Sequence, residues 1–115
     1  MIRDLGGLDE VAHELRGLDE VVHQRVRLGI LAVLTETKRA DFGFLRDTLE
    51  LTDGNLSRHI QVLEKAGYVA VDKVFEGRRP RTWLRATTEG TAAFAREVRS
   101  LRALLSRVDS QDESR

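Results

Sequence analysis

The chain has 115 residues and no cysteine; 41% of its residues are hydrophobic and 33% are charged. This length suits one domain that buries a core without disulfides or a structural metal, and the lack of cysteine excludes a thiol nucleophile and cysteine-ligated zinc. The longest apolar stretch, Leu28 to Leu34, is too short to span a bilayer, and residues 1–4 do not open an apolar signal peptide. We therefore expect a cytoplasmic protein.

The charges balance overall, with 19 basic and 19 acidic residues, but they are unevenly distributed. Residues 54–85 carry seven basic and three acidic side chains, a local net charge of +4, whereas residues 1–53 carry a net charge of −4. A neutral total argues mildly against nucleic-acid binding. A contiguous basic stretch, however, creates a local field that steers a polyanion.

The N-terminal region contains a duplication, because residues 7–13 and 17–23 are nearly identical. On one continuous helix the copies would lie about 80° apart, so they share no face unless Gly17 breaks or bends the helix. We interpret residues 1–17 as an N-terminal extension, a helical arm, and the second copy as the start of the domain. For His13 and His23, which end the two copies, a surface or packing role is favoured over a metal or pH sensor.

From Leu18 onward, apolar residues recur at every fourth position through Val22–Leu34 and predict a first core helix that ends near residues 36–38. Residues 39–41 form a connector or a short strand. The apolar positions within residues 42–51 then predict a second, shorter helix.

A third helix is predicted over residues 53–66, with Leu56, Ile60 and Leu63 on its buried side. Thr52 or Asp53 caps its start, and Gly67 terminates it. His59 is expected at the edge of this buried side.

After Gly67 the apolar period changes to two, which predicts a β-hairpin. Residues 69–75 form its first strand, residues 76–80 its turn, and residues 81–86 its second strand, with Trp83 at the centre.

The last helix, which Thr87 caps, carries apolar residues at spacings of 4, 3, 4 and 3, the pattern of a dimerisation seam. The seam residues are Phe94, Val98, Leu101, Leu105 and Val108. We assign residues 91–108 to a C-terminal dimerisation helix; the alternative is a seam buried within one chain. The polar residues 109–115 are predicted to be disordered.

The element order over residues 18–90 predicts a winged helix-turn-helix, in a mostly α chain with a small β-hairpin (α+β class) and long N- and C-terminal dimerisation helices. The outer face of the third helix carries a guanidinium and amides suited to base edges, with small and hydroxyl residues that permit close approach and phosphate contact. These candidate DNA-binding residues are Thr52, Gly54, Asn55, Ser57, Arg58, Gln61 and Lys65. The alternative is an ordinary solvated helix surface.

The hairpin turn crowds Arg78, Arg79 and Arg81 around Pro80, with only Glu76 nearby to offset them. Phosphates or a narrow minor groove would relieve that repulsion, so we add these arginines and Lys73 to the candidate DNA-binding residues. The alternative here is a solubilising loop tip.

Residues 18–31, 51–60, 63–69 and 75–83 together resemble small winged-helix transcriptional regulators related to the MarR and ArsR groups, with the last segment similar to the wing of the one-domain, MarR-like subset. The resemblance covers about residues 18–105 and implies a homodimeric repressor or activator that places the third helix in the major groove. Two departures are notable: there are no cysteine ligands of the kind ArsR-type metal sensors often use, and Arg25 stands where a proline is common.

The sequence thus predicts a sequence-specific, homodimeric DNA-binding regulator, a repressor rather than an activator, that binds a double-stranded and palindromic operator. The alternative is a winged helix whose wing binds an acidic protein partner. We find no catalytic triad, Gly-rich phosphate loop or paired carboxylates, and therefore expect no enzyme, no cofactor and no metal site. The sequence does not identify the operator or a small-molecule effector.

Overall fold

Five helices and a three-stranded antiparallel sheet form the chain in this computed structural model, which describes residues 6–113. The helices are α1 (Gly6–Arg16), α2 (Arg25–Thr37), α3 (Phe42–Thr48), α4 (Asp53–Lys65) and α5 (Thr88–Glu113). The strands are β1 (Ala40–Asp41), β2 (Val69–Glu76) and β3 (Arg79–Ala86). The predicted mostly helical winged fold is confirmed, with α4 in the place of the predicted third helix.

The core lies where α2, α3, α4 and the sheet meet, and it contains the apolar positions that the helical spacing selected. The buried residues include Ile30, Leu31, Leu34, Leu45, Leu56, Leu63 and Leu84, each no more than 1% exposed. Within residues 6–113, no helix is both long enough and apolar enough to cross a membrane.

The sheet has the strand order β1-β3-β2, so the predicted connector at residues 39–41 does contribute a short strand beside the hairpin. The two hairpin strands pair from Val69↔Ala86 to Glu76↔Arg79. The predicted turn over residues 76–80 is therefore too wide, because cross-strand pairing continues until only Gly77 and Arg78 connect the strands.

The first core helix begins later than its spacing predicts, at Arg25 instead of Leu18. Asp19 accounts for this difference, because its Oδ1 accepts the backbone N–H groups of Val21 (2.8 Å) and Val22 (3.2 Å) and holds a turn. The Gln24 side chain then accepts the N–H of Arg27 at 2.9 Å and caps the helix.

The predicted N-terminal arm is helical from residue 6, and α1 ends at Arg16, before Gly17, so the two copies of the repeat do not lie on one helix. Helix α1 runs antiparallel along the C-terminal half of α5, as shown by the positions of Gly7 beside Arg107 and of Gly17 beside Ser100. Arg107 also forms an ion pair with Glu10. Residues 1–5 of the predicted extension lie outside the described residues.

The prediction of disorder from residue 109 is wrong for residues 109–113, which continue α5 to Glu113. The apolar seam ends at Val108, but no glycine or proline follows to interrupt the backbone hydrogen bonds, so the helix extends beyond its packed face. Residues 114–115 lie outside the described residues.

A buried polar cluster joins α5 to the turn that precedes α2. Glu97 is fully buried; its Oε1 accepts the N–H of Asp19 (2.9 Å) and its Oε2 accepts a hydrogen bond from His23 Nδ1 (2.6 Å). The hydroxyl of Tyr68 donates to Asp19 Oδ2 at 2.7 Å. The cluster holds the second copy of the repeat as a turn, although the first copy is helical.

The cluster shifts the pKa of two of its members. Burial raises the pKa of Asp19, but the hydrogen bonds from Tyr68 and from the N–H groups of Val22 and Val21 outweigh burial and hold that pKa below its ordinary value. The same hydrogen bond to Asp19 raises the pKa of Tyr68. The Asp19 carboxylate is therefore held charged.

The start of α5 packs closely against the end of the α4–β2 connection. Gly67 has a φ of 83° and closes α4, and its carbonyl accepts the Thr87 hydroxyl at 2.6 Å. The N–H of Thr87 donates to the Tyr68 carbonyl (3.0 Å), and a Cβ on Gly90 would lie 1.9 Å from that same oxygen. Only glycine fits at residue 90, so the base of the hairpin is fixed against α5.

Candidate nucleic-acid interface

The turn that leads into α4 is fixed by side chains on both of its sides. Of the two predicted caps, Thr52 is the one used, and its hydroxyl accepts the N–H of Asn55 at 3.2 Å. Asp53 instead pairs with Arg46 of α3 (2.9 Å), and Arg46 also pairs with Asp47. These contacts set the direction in which α4 leaves α3.

The two faces of α4 differ sharply in burial. Leu56, Ile60 and Leu63 are buried in the core. The candidate residues on the opposite side are exposed, apart from the half-buried Asn55; the exposed ones are Thr52, Gly54, Ser57, Arg58, Gln61 and Lys65. A Cβ on Gly54 would meet nothing within 4 Å, so this end of the helix is open to another molecule. The exposed face offers donors and acceptors with a guanidinium near its centre.

His59 lies at the edge of the buried face, as predicted, where its Nδ1 accepts a hydrogen bond from Arg27 Nη1 at 3.1 Å. Arg27 is anchored in turn by the Val21 carbonyl at 2.5 Å. Burial, with the nearby charges of Arg27 and Arg58, lowers the pKa of His59 below its ordinary value. The imidazole is thus held neutral behind the exposed face of α4.

The hairpin, which we call the wing (Val69–Ala86), has two faces that the strand register defines. Successive side chains alternate between these faces, and cross-strand partners share one. The inner wing face, which continues the core, carries Val71, Lys73, Phe75, Pro80 and Thr82. The outer wing face carries Asp72, Val74, Glu76, Arg79, Arg81, Trp83 and Arg85.

A groove of about 360 Å³ separates the inner wing face from α4. Lys73 and Thr82 line it from the wing, and Ser57, Gln61 and Glu64 line it from the helix. The structure therefore brings Lys73 together with two of the α4 candidates, although they are more than ten residues apart in the sequence.

Arg81 is more fully neutralised than the sequence predicted, because Asp41 of β1 joins Glu76 as its partner. Its Nη1 donates to Glu76 Oε1 at 2.6 Å, and its Nε donates to Asp41 Oδ2 at 3.1 Å. These hydrogen bonds hold the pKa values of both carboxyl groups below their ordinary range. The expectation that only Glu76 offsets the three arginines was wrong, since β1 could not be paired with β3 from the sequence.

Two cations stack on Trp83 of the outer wing face. The guanidinium carbon of Arg39 lies 3.9 Å from the ring centroid and that of Arg81 lies 4.6 Å from it. Sequence reasoning missed Arg39, and it missed Asp41 as both the N-cap of α3 and a wing partner. An aspartate directly before an apolar helical stretch was the available signal for the cap.

Arg78 and Arg79 differ from Arg81, because neither forms an ion pair or a side-chain hydrogen bond within residues 6–113. Both are exposed at the end of the wing, Arg78 in the two-residue turn and Arg79 directly after it. Their charges are available to an external anion.

The predicted seam of α5 divides into two parts. Phe94, Val98 and Leu101 are half-buried within the chain, and Phe94 packs against the core. Leu105 and Val108 are 62% and 64% exposed. On α1, Leu8 and Leu15 are also exposed, so the α1–α5 end of the molecule carries uncovered apolar side chains.

His13 is exposed, whereas His23 is the partner of Glu97, so the two repeat histidines have different environments. Across the part of the chain that the structure describes, no three His, Asp or Glu side chains are arranged to hold a metal ion.

Comparison with known proteins gives matches to this architecture. A family model described as a winged helix DNA-binding domain matches residues 26–105. An uncharacterised protein of Methanocaldococcus jannaschii is 39% identical over 69 residues, which cover 60% of this chain and 75% of that protein.

Solved structures agree with this match. The structure of a transcriptional regulator homologue from Pyrococcus horikoshii is 35% identical, covers 90% of this chain and 97% of its own, and superposes with a TM-score of 0.76. A PadR family transcriptional regulator from Eggerthella lenta shares the fold at 22% identity and a TM-score of 0.63, with 94% of each chain covered.

Proposed function

Because this chain is a member of the winged-helix DNA-binding domain family and a DNA-binding transcriptional regulator rather than an enzyme, we propose that it acts as a homodimeric repressor that reads a palindromic operator. One observation carries this proposal: Ser57 and Gln61 of α4 and Lys73 of the wing line one groove, so candidate residues of both elements share a surface, and the exposed Arg78 and Arg79 lie at the end of the same wing. A duplex presents base edges in its major groove and phosphates beside them, which match these two kinds of side chain.

In the proposed complex, α4 enters the major groove. Arg58, Asn55 and Gln61 contact base edges, since a guanidinium pairs with guanine and amides pair with adenine. Ser57 and the Thr52 hydroxyl contact phosphates beside the N-terminus of the helix, whose dipole favours an anion. The open backbone at Gly54 allows the close approach, and Lys65 extends the basic surface at the other end of α4.

The wing supplies affinity through cations that form no ion pair within residues 6–113. Arg78 and Arg79 contact phosphates or the adjacent minor groove, and Lys73 contacts the backbone between the wing and α4. Arg81, which Asp41 and Glu76 already neutralise, holds the wing in position and makes a smaller contribution to binding.

The proposed dimer forms at the α1–α5 end, where Leu105, Val108, Leu8 and Leu15 are all more than half exposed. Long helices with uncovered apolar side chains are stabilised when a second copy removes those side chains from water. A twofold dimer would present two copies of α4 to half-sites about one helical turn apart.

Light scattering and DNA titration test the dimer with Leu105→Asp combined with Val108→Asp. Both side chains are exposed within one chain, so these changes leave its fold intact but place charges in the proposed contact. We expect a species of half the mass, with unchanged helical circular dichroism and weak DNA binding. The exposed Ser106→Asp is the control. A double variant that remains dimeric would exclude this surface as the interface.

A second double variant, Leu101→Asp with Leu105→Asp, changes one residue in each part of the seam. It distinguishes a seam that joins two copies from a seam that packs only within one chain. We expect loss of the dimer together with partial loss of stability, because Leu101 is already half-buried in the chain. Loss of stability without a change of mass would favour the intramolecular seam.

Selection of bound fragments from genomic DNA tests the operator. We expect enrichment of one sequence with two inverted half-sites, separated by about ten base pairs. Fragments enriched without a shared sequence would contradict sequence-specific readout. A reporter placed behind the selected site then shows whether binding lowers transcription, as a repressor requires, or raises it.

A further inference from the structure

The wing carries an exposed apolar pair that the binding of phosphates does not explain. Phe75 is 73% exposed, the largest exposed fraction among the large hydrophobic side chains of residues 6–113. Its cross-strand partner in the register is Pro80, which is also exposed. An aromatic ring at a wing end costs free energy in water unless a ligand covers it.

The pair lies on the face that would turn toward DNA. Phe75 and Pro80 belong to the inner wing face, two residues along each strand from Lys73 and Thr82, which line the groove beside α4. A strand rises about 3.3 Å per residue, so the apolar pair begins about 7 Å beyond that groove. With α4 in the major groove, this part of the wing reaches the next groove along the duplex.

The surroundings of the pair are cationic at both of its ends. Lys73 precedes it on the inner wing face and the turn residue Arg78 follows it at the wing end, whereas Arg79 and its cross-strand partner Glu76 lie on the outer wing face. A minor groove has the matching arrangement, because its walls are apolar deoxyribose rings between two rows of phosphates about 6 Å apart.

The following inference rests on the proposed DNA binding. We propose that Phe75 and Pro80 form an apolar contact with the deoxyribose walls of a minor groove, the one beside the major groove that α4 occupies. The cations at either end hold the phosphates while the ring displaces water from the sugars. The contact reads groove width and flexibility rather than base edges, so it adds affinity that depends on the deformability of the flanking sequence.

Phe75→Ala tests this contact by titration of a duplex at several salt concentrations. We expect about tenfold weaker binding with an unchanged salt dependence, because an apolar contact is lost and no phosphate contact is. Phe75→Leu should restore part of the affinity. Val74→Ala is the matched control, since Val74 is the adjacent exposed apolar residue on the outer wing face, and it should bind normally.

The outcomes separate this inference from the function on which it rests. Wild-type protein that fails to bind any duplex would contradict the proposed function itself. Wild-type binding that Phe75→Ala leaves intact would overturn the apolar contact alone. A changed mass of the DNA-free Phe75→Ala protein in light scattering would also overturn it, because it would assign the ring to a contact between copies.

Discussion

Two polar regions of the molecule, the cluster around Glu97 and the surface formed by α4 and the wing end, use their charges in opposite ways. In the cluster, the carboxylate is fully buried and both of its oxygens accept hydrogen bonds from the turn at residues 19–23. At the wing end, Arg78 and Arg79 are exposed and form no ion pair within residues 6–113.

The difference shows how charged residues divide between structure and recognition. A buried charge must be satisfied inside the protein, so its removal leaves its partners unpaired and destabilises the fold. An exposed cation without an internal partner contributes little to stability and remains available to a phosphate. Arg81 stands between the two classes, because it is exposed in part but paired with two carboxylates.

The largest effect is expected for Glu97→Ala, which leaves the N–H of Asp19 and the His23 ring without their acceptor. We expect the free energy of unfolding to fall by about 3 kcal/mol in urea denaturation. Glu97→Gln keeps one acceptor oxygen and should cost less. At temperatures where the variants stay folded, the salt dependence of DNA binding should match the wild type; an altered slope would place Glu97 in the binding surface.

Arg58→Ala should weaken binding to the selected operator by about 1–3 kcal/mol and binding to random duplex by much less, as a lost base contact does. The fold should be unchanged, because Arg58 is exposed on α4. Paired titrations of the two duplexes measure the difference. Equal losses on both would make Arg58 a phosphate contact.

Arg78→Ala with Arg79→Ala should weaken binding to every duplex and reduce the salt slope by about one unit for each lost phosphate contact. Arg81→Ala is the matched comparison within the wing, and it should reduce the slope less because Asp41 and Glu76 already neutralise that charge. If Arg81→Ala reduced the salt slope more than the double variant does, the division into a paired Arg81 and externally available Arg78 and Arg79 would be contradicted.

The smallest effect concerns pH. The pKa of His59 lies below its ordinary value in the folded chain, so the unfolded chain binds that proton more tightly. The stability that neutral His59 contributes is therefore complete above about pH 7 and declines as the pH falls through its ordinary pKa of about 6.5. His59→Gln should flatten the dependence of the free energy of unfolding on pH between pH 5 and 7, as measured by urea denaturation. A variant with the same pH dependence as the wild type would show that His59 does not cause it.

The order of elements was predictable from the sequence because helices and strands bury apolar residues at different periods. The spacing of Leu56, Ile60 and Leu63 defined both faces of α4, and the change to a period of two located the hairpin. Periodicity did not reveal that α2 starts at Arg25, because Asp19 and Glu97 decide it through hydrogen bonds, one of them between residues 78 positions apart.

The repeat illustrates this limit within one chain. Two nearly identical segments differ in conformation because only the second reaches Glu97 and Tyr68, which no local pattern shows. Within the candidate site, the exposed residues of α4 followed from helical geometry. The pairing of Arg81 with Asp41 and the stacking of Arg39 on Trp83 depend on the position of β1 beside β3. A strand of only two residues has no periodic pattern from which that pairing could be predicted.

The most direct test of the central claim, that α4 and the wing together bind duplex DNA and read its sequence, is one titration series. The wild-type protein is titrated with the selected operator and with a permuted duplex of the same composition, at salt concentrations between about 50 and 200 mM. Across that range, a protein that makes about 6–10 phosphate contacts loses several powers of ten in affinity. We predict a steep linear fall of log affinity with log salt for both duplexes and a clear preference for the operator throughout. Affinity that does not depend on salt would contradict DNA binding and favour an acidic protein partner. Equal affinity for the two duplexes would contradict sequence readout by α4.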